Sequence, residues 1–135
     1  MPRRSRAREV ALQILYRDDL NPAEDTTADR ELLESRLNGP EMFEFAKGLV
    51  AGVRSRREEL DRAIAEAAQN WDLHRMAATD RSVLRLGAYE LLHTDTPSRA
   101  AINEAVELAK RFGTAQSASF VNGILDRVAR DAQRL

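Results

Sequence analysis

The sequence predicts an all-α protein of about seven helices. Apolar residues recur every three or four positions along most of the 135-residue chain, and no stretch keeps the alternation that is typical of a strand. Hydrophobic residues make up 43% of the composition and charged residues 32%. A chain of this length and composition buries a core without metals or disulfides, and it contains no cysteine. We therefore expect one globular helical domain.

Start and stop signals divide this pattern into helices. Asn21-Pro22 ends the first helix, Asn38-Gly39-Pro40 separates the second from the third, and Gly113 ends the sixth. The helices are predicted over residues 5–19, 29–36, 41–54, from 55 through 71, 79–93, 97–113, and from about 116 onward.

Three of these helices carry more specific expectations. Ser55 and Glu58 have the spacing of a capping box, which would start the fourth helix, and Trp71 falls on its buried face. The fifth helix is apolar almost all round, which predicts that it is the buried centre of the domain. Gly48 and Gly52 lie four residues apart inside the third helix, which predicts the close approach of another helix.

The sequence lacks the signals that are typical of membrane proteins, secreted proteins, enzymes and metal-binding proteins. No apolar run approaches the roughly 20 residues of a membrane span, and no signal-peptide core follows the basic start, so we expect a cytoplasmic protein. No glycine-rich phosphate loop or serine-elbow motif is present. His74 and His93 flank the fifth helix roughly 28 Å apart at 1.5 Å per residue, too far to share a metal. We expect no catalysis, metal or cofactor.

The charges are unevenly distributed although the net charge is only −1. Residues 1–17 contain five arginines and one acid, whereas residues 18–34 contain seven acids and one arginine. Arginines at the start of a helix are unfavourable for the helix itself, because that end carries positive partial charge. A bound polyanion would explain them; a solvated basic tail is the alternative, and charge alone favours neither.

The arginines at the start of the first helix divide by position. Arg3 and Arg4 are expected in a flexible arm ahead of the helix, and Arg6 on its polar face. Arg8 falls at the edge of the apolar face, where a partly buried ion pair is at least as consistent as contact with a polyanion.

Gln13 and Tyr16 share the polar face of the first helix with Arg6 and Glu9. An amide can hydrogen-bond a base edge, and a tyrosine ring can stack on an unpaired base. A single tyrosine on a helix flank is also common at the rim of a core. These residues are compatible with RNA binding without requiring it.

Four blocks of the sequence, in order and spacing, resemble the NusB family of bacterial transcription antitermination factors. Together they cover nearly the whole chain, and the similarity is weakest between residues 21 and 40. The blocks are residues 4–9 continuing to Gln13 and Leu15-Tyr16, 83–86 with 89–91, 101–110, and 112–113 with 120–126.

The resemblance implies two packed helical bundles without catalytic activity, an N-terminal one over roughly residues 1–54 and a C-terminal one over 55–135. It implies binding of single-stranded boxA-type RNA together with the small-subunit ribosomal protein that acts as NusE, in support of ribosomal RNA transcription. Other antitermination factors and RNA polymerase complete the complex, and some members form homodimers. The face around the fourth and fifth helices is the expected site for the ribosomal protein.

The resemblance also implies an RNA surface on the first helix and near the start of the last. Lys110 and Arg111 would add phosphate contacts, although cations there also complement the helix dipole. Phe120 can stack on a base or pack between helices. Ser5 interrupts the family's basic triplet, and the 113–117 loop lacks the acids of some relatives. The candidate RNA-binding residues are Arg3, Arg4, Arg6, Arg8, Gln13, Tyr16, Lys110, Arg111 and Phe120.

Two other interpretations remain open at this point. The RNA-binding domain of ribosomal RNA cytosine methyltransferases has a similar fold, but that enzyme needs a large attached cofactor domain. The chain could also be a helical protein–protein interaction module that does not bind RNA.

Overall fold

A computed structural model describes residues 3–21, 27–69 and 71–135 of the chain. Over these ranges it contains seven α-helices, a short 3-10 helix at Leu73–Arg75, and no strand, which confirms the all-α class. No helix in these ranges is long and apolar enough to cross a membrane. The helices are α1 (Arg3–Leu20), α2 (Thr27–Arg36), α3 (Pro40–Ser55), α4 (Arg57–Ala68), α5 (Ala78–His93), α6 (Ser98–Phe112) and α7 (Ser117–Asp131).

Helix α5 lies at the centre of the molecule, as its apolar pattern predicts. It packs against α1, α3, α4, α6 and α7, and its residues 82–88 are all buried. A Cβ on Gly87 would lie 2.6 Å from Leu125 Cδ1, so α5 and α7 approach closely at this glycine. The buried apolar side chains of all seven helices form one continuous core. The division into two bundles stays a prediction.

Two predictions about the ends of α4 are wrong. Ser55 is the last residue of α3 and its hydroxyl donates to the Gly52 carbonyl oxygen at 3.1 Å, so it does not cap α4. Helix α4 begins at Arg57, without a side-chain cap from Arg56, and ends at Ala68. Trp71 therefore lies beyond the helix and is 58% exposed.

The two glycines of α3 differ. A Cβ on Gly52 would lie 2.1 Å from Tyr89 Cζ, which confirms that another helix, α5, packs closely there. A Cβ on Gly48 would meet nothing within 4 Å, so close packing does not explain this glycine. At Gly39 the backbone φ is +88°, a conformation that favours glycine, and Pro40 then opens α3 as the stop signal predicts.

Acids from residues 18–34 tie α1 and α2 to α3. Arg54 of α3 donates to both oxygens of Asp18, at 2.6 and 2.8 Å, and to Asp29 Oδ2 at 2.7 Å. Arg17 also pairs with Asp29. Asp18 and Asp29 therefore form ion pairs that hold α1, α2 and α3 together.

Asp19 makes the corresponding connection to α5. Its side chain is 3% exposed and accepts hydrogen bonds from Arg81 Nε at 3.1 Å and Arg85 Nη1 at 2.8 Å. Burial raises the pKa of Asp19, but the hydrogen bonds from the two guanidiniums outweigh burial, and the pKa lies below its usual value. Asp19 is therefore ionised at neutral pH and fixes the end of α1 against the central helix.

Candidate nucleic-acid interface

The first two candidate arginines belong to α1 and not to an arm ahead of it. The helix begins at Arg3, and both Arg3 and Arg4 are exposed. The Arg4 guanidinium lies 4.7 Å from the centre of the Phe45 ring of α3. This cation–π contact gives the first turn a tertiary support that the sequence pattern does not show. The prediction of a flexible arm is wrong for these two residues.

Arg8 forms a buried ion pair between α1 and α5. Its Nε and Nη2 donate to the two oxygens of Glu90 at 2.7 and 2.8 Å, and the two side chains are 6% and 2% exposed. Glu104 of α6 lies 3.6 Å from Arg8 Nη1. Of the two interpretations of Arg8, the structure shows the ion pair, which leaves almost no guanidinium surface for a ligand.

Arg6 and Arg111 meet at the carboxylate of Glu9. Arg6 Nη1 lies 2.9 Å from Glu9 Oε2, and Arg111 Nη1, from the last turn of α6, lies 2.8 Å from Glu9 Oε1. The arginine side chains are 38% and 54% exposed, whereas that of Glu9 is 4% exposed. The fold thus brings together two candidate cations from opposite ends of the chain.

An aromatic cleft of about 280 Å³ lies between α1, the end of α6 and the start of α5. Tyr16 and Phe112 are 38% and 39% exposed, and Gln13, Leu12 and Thr79 complete the lining. Its walls offer two rings, an amide and a hydroxyl, which suit an unstacked nucleobase. We call the surface formed by Arg6, Gln13, Tyr16, Arg111 and Phe112 the α1–α6 face.

The last two candidates lie at either side of the 113–116 loop. Lys110 is 59% exposed and pairs with Glu107 of its own helix at 3.2 Å. Phe120 of α7 is half-buried and packs edge-to-face on Trp71, with ring centres 5.3 Å apart. Phe120 therefore has a packing role, and its contact with RNA stays a prediction.

The described ranges contain no cluster of three or more histidine, aspartate or glutamate side chains that could hold a metal ion.

The chain matches the model of the NusB family over residues 5–130. The chain belongs to the NusB family. The resemblance predicted from the four sequence blocks is therefore confirmed.

Relatives and solved structures agree with this assignment. The transcription antitermination protein NusB of Anaeromyxobacter dehalogenans is 48% identical over 129 residues, which cover 94% of this chain and 90% of that protein. T. maritima NusB is 37% identical with a TM-score of 0.83, covering 97% of this chain and 92% of that one. A chain from the crystal structure of antitermination factors NusB and NusE in complex with dsRNA is 29% identical with a TM-score of 0.85, covering 97% and 98%.

Membership of the NusB family decides between the interpretations left open by the sequence. The matched relatives are transcription antitermination proteins of about the same length as this chain, and not multidomain methyltransferases. Transcription antitermination is a non-enzymatic function, so this chain is not an enzyme.

Sequence reasoning missed three features in and around the α1–α6 face. Phe112 and Thr79 carry no local signal of exposure, because only the packing of α1 and α6 on α5 brings them to Tyr16. Glu9 was predicted on the polar face of α1, but Arg111 of α6 covers it and it is 3% exposed. In each case the exposure of the side chain depends on contacts between helices, which the sequence pattern of a single helix does not contain.

Proposed function

We propose that this NusB-family protein binds single-stranded boxA-type RNA through the α1–α6 face and so supports the transcription of ribosomal RNA. The observation that carries the proposal is the meeting of two exposed guanidiniums, Arg6 and Arg111, beside the Tyr16–Phe112 cleft. Arginines bind phosphate oxygens through charge-assisted hydrogen bonds, and exposed rings stack on unpaired bases. Together the two kinds of group can contact both the backbone and the bases of a single strand.

The remaining candidates extend this surface. Arg3 lies about one helical turn before Arg6, and Arg4 lies at the same end of α1. Both are exposed, so they can contact the phosphate backbone where it passes the start of the helix. Lys110 adjoins Arg111, and Phe120 lies in the first turn of α7 directly after the 113–116 loop. We do not include Arg8, whose guanidinium is occupied by Glu90.

The partners follow from the same family assignment. The solved complex of NusB and NusE with dsRNA supports a ribosomal protein acting as NusE as the partner of this chain. We propose that it binds around α4 and α5, with other antitermination factors and RNA polymerase completing a cytoplasmic assembly. A homodimer is proposed as a possible resting state.

Removing either ring of the cleft is expected to weaken RNA binding. Tyr16→Leu and Phe112→Leu retain apolar bulk but lose the stacking surface. Each should lower affinity for a boxA-like single strand about 5-fold to 150-fold, since a stacked base contributes ~1–3 kcal/mol. Fluorescence anisotropy with labelled RNA measures the loss. Because the solved relative holds dsRNA, a duplex of the same sequence is titrated in parallel and is expected to bind more weakly.

Phe43→Leu is the matched control, because Phe43 is a half-buried ring on the α2–α3 side of the molecule. It should leave the RNA affinity unchanged. If all three variants bind RNA like the original protein, the cleft does not hold a base. If the duplex binds more tightly than the single strand, the proposed form of the RNA is wrong.

A further inference from the structure

Glu9 is a buried carboxylate in the middle of a surface that we propose to bind a polyanion. It is 3% exposed, and its only polar partners in the described ranges are Arg6 and Arg111, one on each oxygen. A negative charge beside bound phosphate is unfavourable in itself. Its presence there calls for a role that outweighs this repulsion.

Glu9 contacts both guanidiniums and can therefore fix the positions of both. Arg6 reaches it from one turn earlier on α1, and Arg111 reaches it from the last turn of α6. Two free guanidiniums this close would repel each other, and each would sample many rotamers. One carboxylate between them cancels the repulsion and fixes both side chains before RNA arrives. Each guanidinium has five N–H donors, so most remain available to phosphate oxygens.

Other contacts already hold α1 against α6 without Glu9. The Ser5 hydroxyl donates to the two oxygens of Glu104 at 2.8 and 3.0 Å, and Arg8 Nη1 lies 3.6 Å from the same carboxylate. Both helices also pack on α5, and Val10 of α1 and Leu108 of α6 belong to the same continuous apolar core. Glu9 is therefore not needed to dock the helices, and its specific effect is on the two arginine side chains.

We propose that Glu9 is a positioning residue for RNA binding, which holds Arg6 and Arg111 as a pre-formed pair that takes RNA phosphate. This inference rests on the proposed function. It differs from a bulk electrostatic role, in which removing a negative charge from the face would strengthen RNA binding. It also differs from a purely structural role, in which the loss of Glu9 would act whether or not the arginines are present.

The test is RNA affinity at several salt concentrations for Glu9→Gln, measured with the boxA-like single strand. Positioning predicts that affinity falls about 10-fold, the scale of one charge-assisted hydrogen bond, although the face has become more positive. The dependence of log K on log salt should also flatten, since each phosphate contact contributes about 0.7 to the slope for a single strand.

Glu107→Gln is the matched control. Glu107 lines the same groove between α1 and α6, but it is 69% exposed and pairs only with Lys110 on its own helix among the described residues. The charge change is identical, and we expect affinity to stay the same or to rise slightly. In an Arg6→Ala/Arg111→Ala background, Glu9→Gln should have no further effect on affinity.

The outcomes separate the two proposals. If Arg6→Ala and Arg111→Ala each weaken binding while Glu9→Gln binds as tightly as the original protein, Glu9 does not position them and the proposed function stands. If the original protein does not bind the RNA, both proposals fail. If Glu9→Gln does not fold, the single and double arginine variants decide: losses that multiply independently contradict positioning, whereas a double loss smaller than their product supports it.

Discussion

Arg8→Ala is expected to lower the free energy of unfolding by about 3–5 kcal/mol, the typical cost of removing one partner from a buried ion pair. The substitution leaves the Glu90 carboxylate, 2% exposed, without a cation. The hydroxyl of Thr96, at 3.1 Å from Glu90 Oε2, is neutral and cannot replace the guanidinium. Arg8→Lys is expected to recover only part of the lost stability, because an ammonium cannot make the two parallel hydrogen bonds that the guanidinium makes to the carboxylate.

Urea unfolding followed by circular dichroism measures this loss. Arg62→Ala is the matched control, since Arg62 is an exposed arginine inside α4 and its loss should stay within about 0.5 kcal/mol. A loss below about 1 kcal/mol for Arg8→Ala would mean that the pair with Glu90 is not a buried, fully made contact. That result would return Arg8 to the set of candidate RNA contacts.

The triple variant Arg6→Ala/Lys110→Ala/Arg111→Ala is expected to lose about 100-fold in RNA affinity near physiological salt. The estimate follows from counterion release, in which each lost phosphate contact on a single strand removes about 0.7 from the slope of log K against log salt. The slope should therefore fall by about 2. All three side chains are at least 38% exposed, but the variant also leaves the buried Glu9 carboxylate without its two cations. Circular dichroism and urea unfolding therefore accompany the RNA titration and must show that the variant is folded.

A control triple variant on α7 and the residues that follow it makes the same change in net charge away from the α1–α6 face. Arg127, Arg130 and Arg134 are exposed, and the first two pair with local acids, Asp131 and Asp126. Their joint replacement by alanine should reduce RNA affinity only slightly. Equal losses in the two triple variants would show that RNA responds to overall charge and not to this face.

Local patterns predicted much of the fold correctly. The all-round apolar character of α5 identified the central helix, and the turn at Gly39 and Pro40 was found from its residue types alone. The position of Arg8 at the edge of an apolar stripe suggested an ion pair, which the structure shows with Glu90. These features depend on residues that are close in sequence or on one helical face.

The remainder depends on which helices meet, and a single helical wheel does not contain that information. Asp18, Asp19 and Asp29 were counted among the acids of residues 18–34 with no partner predicted for them, yet each is held by arginines from α3 or α5. Arg4 looked like part of an arm because its support, Phe45, is on α3.

The candidate site was predicted unevenly for the same reason. Arg6, Gln13 and Tyr16 share one face of α1 and were found from the helix period. Arg111 was found through the family resemblance, but its contact with Glu9 was not. Phe112 belongs to one of the family blocks but was not predicted to bind RNA, because its exposure beside Tyr16 depends on where the fold places the last turn of α6 relative to α1.

The central claim is that RNA lies on the α1–α6 face, and photo-cross-linking tests it most directly. The protein is irradiated in complex with a boxA-like single strand that carries 4-thiouridine, and the adducts are located by peptide mass spectrometry. We expect adducts in α1 and at the end of α6, with Tyr16 and Phe112 among the modified residues. Adducts confined to α2, α3 or α4, with none in α1 or α6, would contradict the claim.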